Sequence, residues 1–234
     1  MKKWMLWGSL ALLVSVSACT DKDGDVEAFV IVESDFEAGA DGWTGQYAEY
    51  GTEQGEDIME FKFARTTLPE PLDTTKRALR IQSHNRSDDV FMYLKRKVTG
   101  LDPNRTYSLT MEVDFATNAP EGSVGIGGSP ANSVYMKAGA SPNEPVKTLD
   151  ANDFYVVNID KGQQATGGTE MVVIGDISNG EDEPVYTLVK RNNFTEPVSV
   201  KPNTRGEIWL CVGTDSGFEG LTVLYYDRIK ATLR

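Results

Sequence analysis

The sequence is poor in the side chains that most often bind metals or act as nucleophiles. Its 234 residues include one histidine and two cysteines. A zinc site built on histidine, or a thiol paired with an imidazole, would have to use His84 in every case. A phosphate-binding Gly–Lys–Ser/Thr loop is also missing, because the glycine run at Gly125–Gly128 is not followed by a lysine. These absences disfavour metal-dependent, thiol-dependent and nucleotide-dependent enzymes.

Positive charge is also scarce. The chain has 23 Lys and Arg residues against 35 Asp and Glu residues, which gives a formal net charge of -12. So acidic a chain lacks the basic surface that nucleic acids and anionic membranes require. We therefore expect no nucleic-acid partner, and the ordinary role of this charge is solubility.

The only long apolar run, Trp4–Val16, is too short to span a bilayer as a permanent helix. Two lysines precede it, as in a signal peptide. The run Val16–Cys19 then resembles the bacterial lipobox, in which the cysteine is acylated and becomes the first residue of the mature protein. We predict a signal peptide over residues 1–18 and a lipid anchor on Cys19 that attaches the protein to a membrane. The alternative is an ordinary secretory signal followed by an unrelated cysteine.

Residues 19–28 are polar and predict a flexible tether. A calcium-binding EF-hand is excluded there, because a frame that starts at Asp21 puts glycine at the fourth position and Val32 at the twelfth. An acidic run just after the lipid-bearing cysteine resembles the surface-export signals of Bacteroidetes lipoproteins. We therefore expect the protein on the outer membrane of a bacterial cell envelope, exposed at the surface.

Once Cys19 is lipidated, Cys211 is the single remaining thiol, and the mature domain has no internal disulfide. Cys211 lies within the apolar run Ile208–Val212. A lone cysteine in such a run is typical of a small buried hydrophobic residue.

The rest of the chain has the periodicity of strands. Ser108–Phe115 alternates apolar and polar residues without a break, which predicts a strand with one buried face. We find no window with helical periodicity. Residues 29–234 therefore predict one all-β domain, a jelly-roll β-sandwich with mainly antiparallel strands and few or no helices. The candidate strands are Phe29–Val32, Leu79–Gln82, Val90–Val98, Ser108–Phe115, Val134–Met136, Phe154–Ile159, Met171–Ile174, Val185–Lys190, Ile208–Val212 and Leu221–Leu233.

Several short motifs resemble those of a known family. Asp35-Phe36-Glu37, a glycine turn and Gly42-Trp43 resemble the start of carbohydrate-binding-module-like jelly rolls, which share the galactose-binding-like sandwich. The resemblance continues in Ala78–Ile81, Gly100–Leu109 and Leu224–Ile229. It covers both ends of the domain and one inner strand pair, but not residues 122–201. The resemblance implies non-catalytic glycan binding.

In modules of this family the first and last strands lie close together, and a structural calcium often ties them. The matching positions are Glu37 and Asp227, with main-chain carbonyls from the turn at Gly39. Calcium takes six to eight oxygen ligands, and two carboxylates with a bent backbone suit it. The alternative is that both acids are solvated strand ends.

A sugar site needs an aromatic face with polar groups beside it. Tyr47 and Tyr50 lie in a segment bounded by glycines and are expected to be exposed, whereas Phe36 and Trp43 are expected in the core. Tyr93 and Tyr135 are further candidates for an aromatic face. The candidate polar groups share one loop before the strand at Val90, and the alternative for this loop is a solvated hairpin. They are His84, Arg86, Asp88 and Asp89.

The glycine-rich stretch Ser123–Ala140 has two interpretations. Gly125, Gly127 and Gly128 permit close approach of a ligand, or they form a bulged strand or a tight crossing inside the sandwich.

Evidence for catalysis is weak. Glu33, Asp35 and Glu37 have the spacing of the acids in jelly-roll glucanases, but they lie at the start of the mature domain, without the preceding strands that would bury them. Gly213–Gly217 resembles the nucleophile turn of trypsin-like proteases only loosely, since its flanking residues do not fit. We therefore expect a non-enzymatic surface lipoprotein that binds glycan. The alternatives are a structural or adhesive envelope protein with protein partners and, third, a glycoside hydrolase or lyase.

Overall fold

The computed structural model describes residues 29–87 and 89–234. The predicted signal peptide, Cys19, the tether and Asp88 lie outside the described residues. Within these ranges no α-helix occurs, and no helix is long and apolar enough to cross a membrane. One turn of 3-10 helix spans Glu56–Met59. The strands are β1 Val30–Ser34, β2 Thr44–Ala48, β3 Tyr50–Gly51, β4 Lys62–Thr67, β5 Arg77–His84, β6 Val90–Val98, β7 Tyr107–Thr117, β8 Val134–Ser141, β9 Lys147–Leu149, β10 Phe154–Val157, β11 Met171–Asp176, β12 Thr187–Asn192, β13 Val198–Val200, β14 Ile208–Ser216 and β15 Leu221–Leu233.

The strands form two main sheets and one small sheet, and every paired strand is antiparallel to its neighbour. The seven-stranded sheet has the order β12-β7-β15-β5-β4, with β1 added to β15 and β13 added to β7. The five-stranded sheet has the order β11-β8-β14-β6-β2, and the small sheet has the order β3-β10-β9. The first and last strands of the domain are therefore neighbours, with Ser34 opposite Ile229.

The core lies between the two main sheets. Leu79 and Ile81 contribute to it from the seven-stranded sheet, and Met92, Leu94 and Leu210 from the five-stranded sheet. Phe36 and Trp43 are 0% and 2% exposed, so the expectation that both are core residues is confirmed. A single all-β sandwich with mainly antiparallel strands is likewise confirmed.

The outer face of the five-stranded sheet is not open to solvent. Phe91 and Tyr93 alternate along β6 with the core residues Met92 and Leu94, and so lie on the outer face. Residues 142–170, here called the cover segment, run across this face. Val157 and Ile159 of the cover segment pack in one buried cluster with Phe91, Tyr93, Ala48, Met171 and Cys211.

The cover segment changes the interpretation of one predicted strand. Phe154–Ile159 was expected to be a strand of the sandwich, but β10 belongs to the small sheet over the outer face. Cys211 lies beneath it and is 0% exposed, which confirms the prediction of a buried thiol. Burial raises the pKa of this thiol well above its usual range.

The glycine-rich stretch forms a loop over residues 121–133, followed by the predicted strand at Val134. Gly125, Gly127 and Gly128 are thus not part of a bulged strand. Gly127 has a φ of 70°, and a Cβ there would lie 2.5 Å from the carbonyl oxygen of Gly217. This glycine permits a close approach between two loops of the protein itself.

Candidate ligand-binding sites

An aromatic pocket lies at the free edge of β2. It has a volume of about 240 Å³, and its lining residues are Gln46, Tyr47, Phe61, Val146 and Lys147.

The rings of Tyr47 and Phe61 stack in this pocket, with their centroids 4.7 Å apart. Phe61 is partly exposed, whereas Tyr47 shows only 7% of its surface. Gln46 and Lys147 bring an amide and an ammonium group to the same wall. The pocket therefore combines an aromatic surface with hydrogen-bonding groups.

The ammonium group of Lys147 lies in a cage of tyrosine rings. Its Nζ is 4.8 Å, 4.9 Å and 4.6 Å from the ring centroids of Tyr47, Tyr50 and Tyr155. It also forms an ion pair with Glu56, with 2.9 Å between Nζ and Oε1, and donates a hydrogen bond to the Tyr50 hydroxyl. Cation–π attraction and the ion pair together hold β9 against the edge of β2.

The expectation that Tyr47 and Tyr50 are exposed is wrong. Tyr47 is 7% exposed and Tyr50 is 0% exposed, because the two rings stack on each other at 4.9 Å and on their aromatic neighbours. Burial raises the pKa of both hydroxyl groups, so both stay protonated at neutral pH. Of the two tyrosines, only Tyr47 lines the aromatic pocket.

Tyr93 and Tyr135 do not join this pocket as exposed aromatic faces. Tyr93 is 0% exposed beneath the cover segment, and its hydroxyl donates to Oε1 of Gln46 at 2.8 Å. Tyr135 is partly exposed and lies opposite Asp215 on one side and Asp176 on the other. Its role in binding stays a prediction.

The polar loop before β6 is organised by contacts within the protein. Nδ1 of His84 and Nη2 of Arg86 lie 3.0 Å and 2.7 Å from the same Oε1 of Glu60. Arg86 also donates to the carbonyl oxygen of Ile58 at 2.8 Å. The structure thus brings His84 and Arg86 together at Glu60 rather than at the tyrosine rings.

A buried cluster of charged groups lies under the cover segment, and the sequence reasoning missed it. Oδ2 of Asp215 is 2.7 Å from Nζ of Lys137 and 2.9 Å from Nζ of Lys161. Lys137 and Asp215 are 0% exposed. Lys137 also donates to the carbonyl oxygens of Lys161 and Thr166, at 2.8 Å and 3.0 Å. One sequence signal was available, since Lys137 is a lone charged residue in an apolar strand.

Asp89 joins this cluster, and a polar pocket of about 260 Å³ opens beside it. Glu49 and Lys161 line the same pocket. Burial and the nearby charge of Asp215 raise the pKa of Asp89 to about 8. Burial also raises the pKa of Glu49. We call Lys137, Lys161, Asp215, Asp89 and Glu49 the lysine–aspartate cluster.

The predicted calcium ligands Glu37 and Asp227 line one pocket of about 450 Å³, together with Asp35, Asp73, Lys76 and Arg228. Burial raises the pKa of Asp227, and the charges of Asp114 and Glu37 add to this effect.

Hydrogen-bond donors of the protein already contact several oxygens at this place. Arg65 donates to the carbonyl oxygens of Phe36, at 2.7 Å, and of Glu37. Oε1 of Glu37 accepts a hydrogen bond from the amide of Arg77 at 3.2 Å. In the part of the chain that the structure describes, no group of three or more His, Cys, Asp or Glu residues is arranged to hold a metal ion. Calcium binding stays a prediction.

The three alternating acids at the start of the domain do not form a catalytic face. Glu33 lies on β1 and pairs with Arg228, with 2.8 Å between Oε1 and Nη1. β1 ends at Ser34, so Asp35 and Glu37 lie in the following loop. The glucanase-like spacing therefore does not place these carboxylates on one strand.

Comparison with known proteins identifies no family for this chain. No protein-family description and no curated protein matches the sequence. Solved structures with a similar fold include a carbohydrate-binding module studied for specific mannan recognition, with a TM-score of 0.43, 14% identity and coverage of 88% of this chain and 99% of that chain. A family 11 carbohydrate-binding module of a Clostridium thermocellum cellulase has a TM-score of 0.42 at 11% identity and covers 87% of this chain and 95% of its own. Structural similarity at such low sequence identity and TM-score assigns no ligand to this chain.

Proposed function

We propose that this protein is a surface lipoprotein that binds glycan without catalysis, and that the aromatic pocket is its binding site. The observation that carries the proposal is the stacked pair Tyr47 and Phe61, which lies beside the amide of Gln46 and the ammonium group of Lys147. Aromatic rings pack against the apolar C–H faces of sugars, and polar groups nearby bind the hydroxyls.

The size of the pocket limits what it accepts. Its volume of about 240 Å³ is below the range of roughly 300–1,000 Å³ that is usual for ligand pockets. We therefore expect it to take one sugar residue of a longer chain. Lys147 is already engaged by Glu56, so the site suits neutral sugars at least as well as acidic ones.

A glycan array tests this proposal. The wild-type protein is compared with Phe61→Leu, which keeps an apolar side chain but removes the aromatic face. Phe194→Leu is the matched control, because Phe194 is 53% exposed in the loop between β12 and β13. We expect Phe61→Leu to lose binding and Phe194→Leu to keep it. Absence of binding to every glycan by the wild-type protein would contradict the proposal.

The lipid anchor is a separate part of the proposal. It rests on the lipobox-like run that ends at Cys19 and on the acidic tether behind it. Metabolic labelling with a fatty acid should mark the wild-type protein and not Cys19→Ser. Digestion of intact cells with a protease should remove the protein if it faces outward, and its full protection would contradict surface exposure.

A contact role with envelope proteins is the second candidate, and one observation favours it. Val124 and Ile126 are 94% and 72% exposed in the loop over residues 121–133. A photo-reactive residue at position 126 should then cross-link a defined partner in intact cells. The same residue at position 194 is the control, and equal labelling at both positions would count against a specific contact.

A further inference from the structure

We propose that one proton, shared by the carboxyl groups of Asp89 and Asp215, fastens the cover segment to the five-stranded sheet. Loss of this proton loosens the segment. The inference does not depend on the proposed glycan binding, because it concerns the lysine–aspartate cluster alone.

The hydrogen-bond donors around Asp215 leave two buried carboxylate oxygens of the cluster without a proton to accept. Its Oδ2 accepts from Lys137, from Lys161 and from the amide of Gln164, the last at 2.9 Å. Its Oδ1 is buried and has no donor among the described residues, and the same holds for Oδ1 of Asp89. The two residues are close in the sheet, because Asp89 immediately precedes β6 and Asp215 lies opposite Phe91 of that strand. Two ionised carboxylates have no proton to donate, whereas one proton between them would supply both oxygens.

The charges of the cluster lead to the same conclusion. Lys137 and Lys161 are positive, and Asp89, Asp215 and Glu49 are negative when ionised. The five groups then carry one excess negative charge in a buried place, which is costly. One proton makes the cluster neutral, whereas a divalent cation would leave an excess of positive charge.

The cluster joins the cover segment to the sheet. Lys161 and Gln164 of the cover segment bind Asp215 on β14, and Lys137 on β8 binds the carbonyl oxygens of Lys161 and Thr166. Glu49 accepts from the amide of Val157, also in the cover segment, at 3.1 Å. When the segment opens, water enters and solvates an extra negative charge in the cluster, so that charge favours opening.

The direction of the pH dependence follows from the pKa shifts. Asp89 has a pKa of about 8 in the folded protein, far above the value of about 3.9 for an unfolded chain. Its contribution to stability is full below about pH 4 and is lost as the pH rises through about 8. Glu49 acts in the same direction, because burial raises its pKa.

Asp215 acts in the opposite direction. Burial opposes its ionisation, but Lys161, the hydrogen bond with Asp89 and Lys137 together lower its pKa. Its contribution is therefore lost only as the pH falls through this lowered value. That range lies well below the range in which Asp89 titrates.

Hydrogen–deuterium exchange of the lipidated chain in detergent tests the proposal. Peptides from residues 142–170 are followed at about pH 6.5 and about pH 9, with the intrinsic exchange rates corrected. We expect the opening equilibrium to be about thirtyfold higher at the higher pH, because it rises about tenfold per pH unit up to the pKa of about 8 and levels off above it. Peptides from β7 and β15 are expected to stay unchanged and serve as the internal reference.

Three variants separate the shared proton from other causes. Asp89→Asn keeps a hydrogen-bond donor that does not titrate, and should remove most of the difference between the two pH values, leaving only the contribution of Glu49. Asp89→Ala has no donor and should loosen the segment at both. Asp153→Asn, an exposed change within the same segment, should behave as the wild type does.

Two results would overturn the proposal. One is an equal rise in exchange for the wild type and Asp89→Asn. The other comes from carboxyl-carbon NMR of the wild-type protein, which needs no variant to fold. A signal from Asp89 that titrates near its ordinary value of about 4, rather than near 8, would show that no proton is shared.

Discussion

Lys137 and Asp215 form an ion pair in the interior, with 2.7 Å between Nζ and Oδ2 and no exposure of either side chain. The two residues lie on neighbouring strands of the five-stranded sheet, β8 and β14, on the face that the cover segment closes. The pair therefore links the sheet and the segment, since both ends also bind groups of residues 161–166.

Asp215→Ala should strongly destabilise the protein. It leaves the ammonium groups of Lys137 and Lys161 buried without their carboxylate, and removal of one partner of a buried pair costs about 3–5 kcal/mol. Urea unfolding measures this loss. Lys190→Ala is the control, because Lys190 is 75% exposed in its pair with Asp114 and should cost at most about 1 kcal/mol. Equal effects of the two variants would contradict a structural role for the buried pair.

Ser34→Ala should destabilise the junction of the first strand with the core. The Ser34 hydroxyl oxygen accepts from Nε1 of Trp43 at 3.1 Å and from Nη1 of Arg96 at 2.6 Å. Without it both donors lose an acceptor in a largely buried place, which costs about 1–3 kcal/mol. Urea unfolding followed by tryptophan fluorescence measures the loss. Ser199→Ala, an exposed change on β13, should have almost no effect.

Cys211 should be unreactive in the folded protein. Burial raises the pKa of its thiol, so the reactive thiolate is scarce, and the cover segment blocks access to it. In the Cys19→Ser variant Cys211 is the sole thiol. A thiol reagent should label it only after the addition of concentrated guanidinium chloride. Rapid labelling of the folded protein would show that the cover segment opens readily.

Calcium binding at the junction of the first and last strands is tested by chelation. If Glu37 and Asp227 hold a tightly bound ion, a chelator should lower the melting temperature of calcium-loaded protein. Glu37→Gln and Asp227→Asn should then remove this difference. An unchanged melting temperature would mean that Arg65, through its hydrogen bonds to Phe36 and Glu37, supplies the positive charge there without an ion.

The sequence was sufficient to predict the sandwich and much of its core. Along β7 the alternation of apolar and polar residues identified the buried face, and Phe36 and Trp43 are buried as expected. The cover segment was not predictable in this way. Val157 and Ile159 have the pattern of a strand, but a local pattern does not say which sheet an apolar residue covers.

The same limit explains the errors at the candidate sites. Tyr47 and Tyr50 lie between glycines, which suggested exposure, yet Tyr155 and Lys147 from distant parts of the chain enclose them. Lys137 lies on the outer face of its sheet, where a lysine normally meets solvent. Only the folded chain shows that residues 161–166 bury it.

The most direct test of glycan binding is a calorimetric titration of the strongest array ligand against three proteins. We predict that Phe61→Leu binds at least about tenfold more weakly than the wild type, a loss of about 1.4 kcal/mol, while Phe194→Leu binds as the wild type does. Equal dissociation constants for all three proteins would contradict a binding site at the aromatic pocket.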